Sequence, residues 1–207
     1  MTPLRALILD FGGVLARHQP SELVQRMASI AGAPVGAFTD AYWAHRNEYD
    51  LRGDPRRYWD RVLRDAAGLD GAAREALRPG LIAVDQESWA QYREELWELT
   101  TRFRAAGGRT AMLSNCGPEV FARVRADRDL ARTFDATVIS WEVGFLKPDP
   151  AIYRLTLERL DVPAPAALFV DDRPENVTAA EALGMQVLHF AGDESVAELR
   201  ARAARVG

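Results

Sequence analysis

The chain has 207 residues, enough for one sizeable domain or for one domain carrying a smaller insert. A formal net charge of −4 gives nucleic acid or an anionic membrane no electrostatic reason to bind, and no apolar run reaches the roughly 20 residues that span a bilayer. One cysteine, Cys116, excludes an internal disulfide framework and a zinc site of its own, and the N-terminus lacks a secretory pattern, so a cytoplasmic protein is expected.

Arg5–Leu9 is a short apolar run ending near a Gly-Gly pair, which predicts a buried strand and a tight turn. From Ser21 to Glu87 helix signals take over. Ser21 precedes one helix, Asp54–Pro55 supplies the N-cap and first residue of another, and a third short helix is expected from Gly71 to Leu77, closed by Pro79–Gly80. A helix from Trp89 to Ala106 follows, stopped by Gly107–Gly108. Strands at 110–113, 137–140, 167–170 and 186–190 then alternate with helices opened at Pro118 and Asp149–Pro150, ending at Gly184, and starting near Glu194. Alternation of this kind predicts an α/β fold, a doubly wound parallel sheet with helices on both faces. The division expected is a Rossmann-like core over 1–16 and 88–207 and a small α-helical cap over 17–87.

Lys147 is the one lysine among 26 basic side chains, the rest being arginine. A compact ammonium surviving where arginine is otherwise used suggests a place that a planar guanidinium would not fit.

Ligands of open parallel sheets bind outside the carboxyl ends of the strands. The first strand delivers Asp10, the second Ser114–Asn115, the third the loop "WEVGFLKPDP" with Lys147, and the fourth Asp171–Asp172. Three carboxylates, a hydroxyl, an amide and the sole ammonium therefore reach one edge. Carboxylates with spare coordination sites suit Mg²⁺, which keeps waters and a phosphate oxygen in its shell. Asp10 could then attack phosphorus while Ser114, Asn115, Lys147 and the amides after Asp10, loosened by Gly12–Gly13, hold the transferred oxygens.

"LILDFGGVL", "LSN", "KPDP" and "VDDRPEN", in this order, resemble the four motifs of the haloacid dehalogenase-like hydrolase superfamily, and the intervening helical segment resembles its small cap. The resemblance implies Asp10 as nucleophile and metal ligand, Gly12 as a ligand through its carbonyl oxygen, and Ser114 and Asn115 on the transferred group. It implies Lys147 steadying Asp10 and phosphate, Asp172 on the metal, Asp171 on or just behind it, and Asn176 orienting the loop. Mg²⁺ is the implied cofactor, and a small phosphorylated metabolite the implied partner of a monomer or homodimer.

Gly12 departs from the pattern. Phosphatases of this family usually carry aspartate there as the proton donor, help of the order of 10²–10⁴-fold. Three readings follow: a phosphatase of a D-x-G subgroup, using another group or a good leaving group; a metal-independent 2-haloacid dehalogenase with Asp10 as nucleophile; or a weakly catalytic phospho-ligand-binding or regulatory protein. Asp171–Asp172 argues against the second, and the survival of nucleophile, lysine and acidic pair against the third. Among phosphomonoesters the resemblance suggests a sugar 1-phosphate, since some sugar phosphatases of this family are similar to this pattern. His18 and His45 are the histidines able to reach the site, and Tyr42, Arg46, Tyr49, Arg52 and Arg57 are groups of the helical segment able to contact a polar ligand, its arginines expected on the surface with at most one reaching a substrate. Trp43 and Trp59 are expected to pack that segment, and Cys116 to be a packed small residue rather than a reactive thiol.

Overall fold

The structure is a computed structural model and describes residues 2–204. Strands β1 (Ala6–Leu9), β2 (Arg109–Ser114), β3 (Ala136–Ile139), β4 (Ala167–Asp171) and β5 (Gln186–His189) form one sheet in the order β3-β2-β1-β4-β5. Every neighbouring pair is parallel. The continuous apolar runs of the central strands follow from burial on both faces. Leu7 and Leu9 point into a cluster with Leu96, Phe103, Val120 and Phe121, while Ala6 and Ile8 point into another with Ile152, Tyr153 and Ala180. Each fully buried side chain of this size contributes about 1.5–3 kcal/mol. Helices α6 (Glu94–Ala105), α7 (Pro118–Asp127), α8 (Leu130–Thr133), α9 (Ser140–Val143), α10 (Pro150–Leu160), α11 (Pro174–Ala182) and α12 (Ser195–Ala203) lie in the connections and after β5.

Between β1 and α6 stand α1 (Ser21–Ala31), α2 (Val35–Ala44), α3 (Arg46–Arg52), α4 (Pro55–Ala67) and α5 (Gly71–Trp89). Met27, Phe38, Tyr42, Tyr58, Trp59, Val62 and Leu81 give them a hydrophobic cluster of their own. Asp54 caps α4 by accepting from the Arg57 amide at 3.0 Å, with Pro55 in its first turn, as expected.

The sequence expectations for the end of this segment need correction. The helix begun at Gly71 does not stop at Pro79–Gly80 but continues to Trp89 with Pro79 inside it. An interior proline costs about 3 kcal/mol. Burial of Leu81, Val84 and Trp89 beyond it offsets that cost. The next helix begins at Glu94, not Trp89. In the interval Tyr92 makes an isolated antiparallel bridge with Ala16, where the Arg17 amide donates to the Gln91 carbonyl at 2.7 Å and the Arg93 amide to that of Leu15 at 2.9 Å. This crossing swings Trp89 back over the loop after β1.

The helical layer docks on the sheet through α3. Ser140 Oγ donates to the Asp50 carbonyl oxygen, Tyr49 hydrogen-bonds Glu119, and Gln86 donates to the Glu119 carbonyl at 2.7 Å. Gly117 is the notch for Tyr49: a Cβ there would lie 2.2 Å from the ring.

Candidate active site

Register places the site. Leu9 pairs with Met112 on one side and Val170 on the other, so the chains end level and Asp10, Leu113 and Asp171 come next. The Asp10 amide donates to the Val170 carbonyl at 2.9 Å, carrying the ladder one step past β1. The Asp10 carboxylate accepts from the Phe11 amide at 2.6 Å.

Lys147 reaches in from the loop after α9. Its Nζ donates to Asp10 Oδ1 at 2.7 Å, Asp171 Oδ2 at 2.6 Å and the Leu113 carbonyl at 3.0 Å. Three acceptors around one nitrogen match the three hydrogens of an ammonium and not a planar fork. That is the physical reason for the lone lysine. Burial works against its charge, but Asp10 and Asp171 outweigh it and hold its pKa above the ordinary range. Asn115 fixes the loop: its Nδ2 donates to the Lys147 carbonyl at 2.9 Å and its Oδ1 accepts from the Lys147 amide at 2.8 Å. The Lys147–Pro148 peptide is cis.

The acidic pair divides. Asp171, fully buried, gives Oδ2 to Lys147 and Oδ1 to the Arg173 amide and Asn176 Nδ2, both at 2.9 Å. Asp172 has a buried Oδ1 without a hydrogen-bond partner among the described residues. Such an orphaned carboxylate oxygen is costly and calls for a ligand. Gly13 makes room for it at φ +79°, since a Cβ there would lie 2.5 Å from the Asp172 carboxyl. Oxygens of Asp10, Asp171 and Asp172 lie within 4.8 Å of one another. Burial, followed by the charges of the other two carboxylates, pushes Asp10 up to about 7 despite Lys147. Burial and Asp171 likewise raise Asp172.

Asp10, Lys147 and Asp172 line a cavity of about 140 Å³ between the strand ends and the helical layer, together with Gly12, Ser114, Asn115, Arg173 and Asn176 from the sheet side. His18, Trp43, Arg46, Asn47, Asp50 and Trp89 complete it. His18 Nε2 stands 3.5 Å from Asp172 Oδ2 on a largely exposed side chain. His45 is elsewhere, paired with Asp65 at 2.7 Å. Tyr42 and Tyr49 are buried packing and docking residues, while Arg52 and Arg57 pair with Glu48 on the surface. Trp59 is core; Trp43, half exposed, lines the cavity instead of packing the helices. Cys116 is buried, and burial pushes its thiol well above the usual range.

Arg46 and Trp89 lie outside the sequence-derived site set and line the cavity. Arg46, expected on the surface, is 5% exposed. Its Nε holds both oxygens of Asp50 at 2.9 and 3.1 Å, and Nη1 donates to the Tyr42 hydroxyl, which donates in turn to Asp85 at 2.7 Å. The i, i+4 spacing of Arg46 and Asp50 was the available signal. Trp89 lies over Gly12, where a Cβ would stand 3.0 Å from Cζ3 of the indole. No sequence signal tied these two residues together.

The model of the haloacid dehalogenase-like hydrolase family matches residues 4–184. The chain is 28% identical to sesquiterpene phosphatase astK of Aspergillus oryzae over 91% of each. It is 31% identical to (S)-2-haloacid dehalogenase 1 of a Pseudomonas species, over 92% of this chain and 86% of that one. Drimenol cyclase drtB of Aspergillus calidoustus is 34% identical over 90% of this chain, which spans only 34% of that protein's length. Among solved structures, a HAD family enzyme of Bacteroides thetaiotaomicron in complex with magnesium and inorganic phosphate superposes with a TM-score of 0.69, at 18% identity, covering 89% of this chain and 93% of that one. The fold, the ordered strand-end residues and the family match agree, and the chain belongs to the haloacid dehalogenase-like hydrolases.

Proposed function

We propose that this hydrolase is a Mg²⁺-dependent phosphohydrolase acting on a small phosphomonoester, a sugar phosphate being the first candidate, through an aspartyl-phosphate on Asp10. The observation that carries it is the charge and the orphaned oxygen at the strand ends. Three clustered carboxylates, Asp10, Asp171 and Asp172, share the single ammonium of Lys147, which Asp10 and Asp171 hold directly, and Asp172 Oδ1 is buried without a partner among the described residues. A divalent cation held there would balance that excess and give that oxygen a partner. Asp10, Asp172 and the Gly12 carbonyl would hold it, with Asp171 behind, acting through Lys147. When bound, Mg²⁺ offsets the repulsion between carboxylate and phosphate.

The chain's own residues do the rest. Lys147 holds one Asp10 oxygen and leaves the other for phosphorus. Ser114, buried at the end of β2, and the amides after Asp10 face the transferred oxygens. Asn115 keeps Lys147 in place through its backbone. Water then hydrolyses the aspartyl-phosphate. Residues 17–87 act as a cap that closes the cavity, on a core made of 1–16 and 88–207.

The likeness to a dehalogenase favours no metal-free reading, because halide release requires no ligand for Asp172. Rapid quenching of wild type with acetyl phosphate and Mg²⁺, followed by mass spectrometry, should place one phosphoryl group on the peptide containing Asp10. Chloride release from 2-chloropropionate, with no phosphorylated peptide from acetyl phosphate or p-nitrophenyl phosphate, would overturn the proposal.

A further inference from the structure

Trp43, Arg46, Asn47 and Asp50 all line the cavity that holds Asp10. Their spacing is i, i+3, i+4 and i+7, and His45 joins α2 to α3 at φ −105° and ψ −2°, close enough to helical geometry to keep the four on one face. Two of them are spent on each other. Arg46 Nε holds both oxygens of Asp50, and Asp85 at 3.9 Å gives that guanidinium a second buried carboxylate. The other two are not. Trp43 is 51% exposed, its indole braced edge-on by Tyr42 with ring centroids 5.1 Å apart. Asn47 is exposed, and its amide has no hydrogen-bond partner among the described residues.

The remaining polar groups around the cavity are committed. Lys147 is held by Asp10 and Asp171, and Arg173 pairs with Glu175 at 2.5 Å. Asn115 and Asn176 are bound to Lys147 and Asp171, and His18 faces Asp172 at 3.5 Å. On its helical side the cavity therefore offers an indole face and a free amide, with neither a spare cation nor a spare carboxylate.

We propose that Trp43 and Asn47 form the leaving-group subsite, and that it admits a neutral ring-bearing alcohol: a monosaccharide carrying one phosphate and no second ionised group. The inference rests on the phosphohydrolase reading and narrows its substrate. An indole face packs against the C–H face of a sugar ring, and a carboxamide, donor and acceptor at once, matches hydroxyls that are both. A second phosphate, a carboxylate or an ammonium on the leaving group would have to break an ion pair of the cavity or enter it unpaired, and either is costly.

The test is kcat/KM, with Mg²⁺, for a panel of hexose and pentose monophosphates, glucose 1,6-bisphosphate, phosphoserine, phosphoglycolate, geranyl phosphate and acetyl phosphate, the last carrying no ring. The best sugar monophosphate should exceed the charged leaving groups and geranyl phosphate. Trp43→Ala and Asn47→Ala should each lower the ratio of kcat/KM for that sugar phosphate to kcat/KM for acetyl phosphate by about 2–10-fold, through KM. Trp43→Phe, which keeps a ring, should lose less than Trp43→Ala. Both side chains are exposed, so these variants should fold with near-wild-type Tm. A charged leaving group or geranyl phosphate turned over faster than every sugar monophosphate would overturn the inference, as would an unchanged ratio in either alanine variant. Absence of phosphate release even from acetyl phosphate would overturn the phosphohydrolase reading itself, and the inference with it.

Discussion

Asp171 holds the Lys147 ammonium at 2.6 Å and spends its other oxygen on the Arg173 amide and Asn176. Its neighbour Asp172 spends none of Oδ1. Adjacent carboxylates are thus placed differently, one fixing the lysine and the other with an oxygen that no protein group satisfies among the described residues. Asp172→Asn should abolish Mg²⁺ binding, measured by calorimetry. Asp171→Asn should leave that affinity within a few-fold, while lowering kcat about a hundredfold through Lys147 and destabilising the fold by about 3–5 kcal/mol, the cost of breaking a buried pair. Equal loss of Mg²⁺ binding in both variants would contradict this division.

Lys147→Arg keeps the charge and should still fail. The three acceptors at 2.6, 2.7 and 3.0 Å suit a point donor and leave no plane for a guanidinium. Activity should fall at least about a hundredfold, the size of a lost preorganised donor, and Tm should fall with it. Near-wild-type turnover in a Lys147→Arg protein would remove the stated reason for the lone lysine.

Gly13 and Gly12 should differ sharply on conversion to alanine. At Gly13 both the left-handed φ and the 2.5 Å approach to the Asp172 carboxyl forbid a Cβ, so Gly13→Ala should weaken Mg²⁺ binding and carry a strain of about 1–2 kcal/mol. At Gly12 the obstacle is the edge of Trp89 at 3.0 Å, which can shift by tenths of an ångström. Gly12→Ala should therefore retain most Mg²⁺ affinity.

Without metal, Asp10 is a source of instability with a defined pH dependence. Burial raises its carboxyl from 3.8 to about 7. Between those values the folded chain keeps a proton that the unfolded chain has released, so stability falls as pH rises through that window. Asp10→Asn mimics the neutral form. In EDTA it should leave Tm nearly unchanged below pH 3.8 and raise it at pH 7 and above. An equal shift at both ends, read by calorimetric scans, would mean that the carboxyl ionises normally in the fold.

The parallel sheet was legible because its strands are short apolar runs bounded by turns and separated by helices, and Asp10, Ser114, Lys147 and Asp172 were legible because that topology sends strand ends to one edge. The helical segment was harder to read. α2 is apolar on several sides, with Phe38, Ala41 and Tyr42 buried and Trp43 half exposed, and so shows little periodicity. Pro79 reads as a stop, and only the packing of Leu81, Val84 and Trp89 carries α5 through it. That misplaced boundary hid the relation between Trp89 and Gly12, which depends on a tertiary crossing at Ala16 and Tyr92. The burial of Arg46 is not legible in the same way: Tyr42 and Asp50 stand one helical turn away on either side, but Asp85, which shares the buried cluster, comes from a remote part of the chain.

The most direct test of a metal-dependent phosphohydrolase using Asp10 is phosphate release from acetyl phosphate and p-nitrophenyl phosphate by wild type and Asp10→Asn, each with Mg²⁺ and with EDTA. Release is expected only from wild type with Mg²⁺. Release that persists in EDTA, or in Asp10→Asn with Mg²⁺, would contradict it.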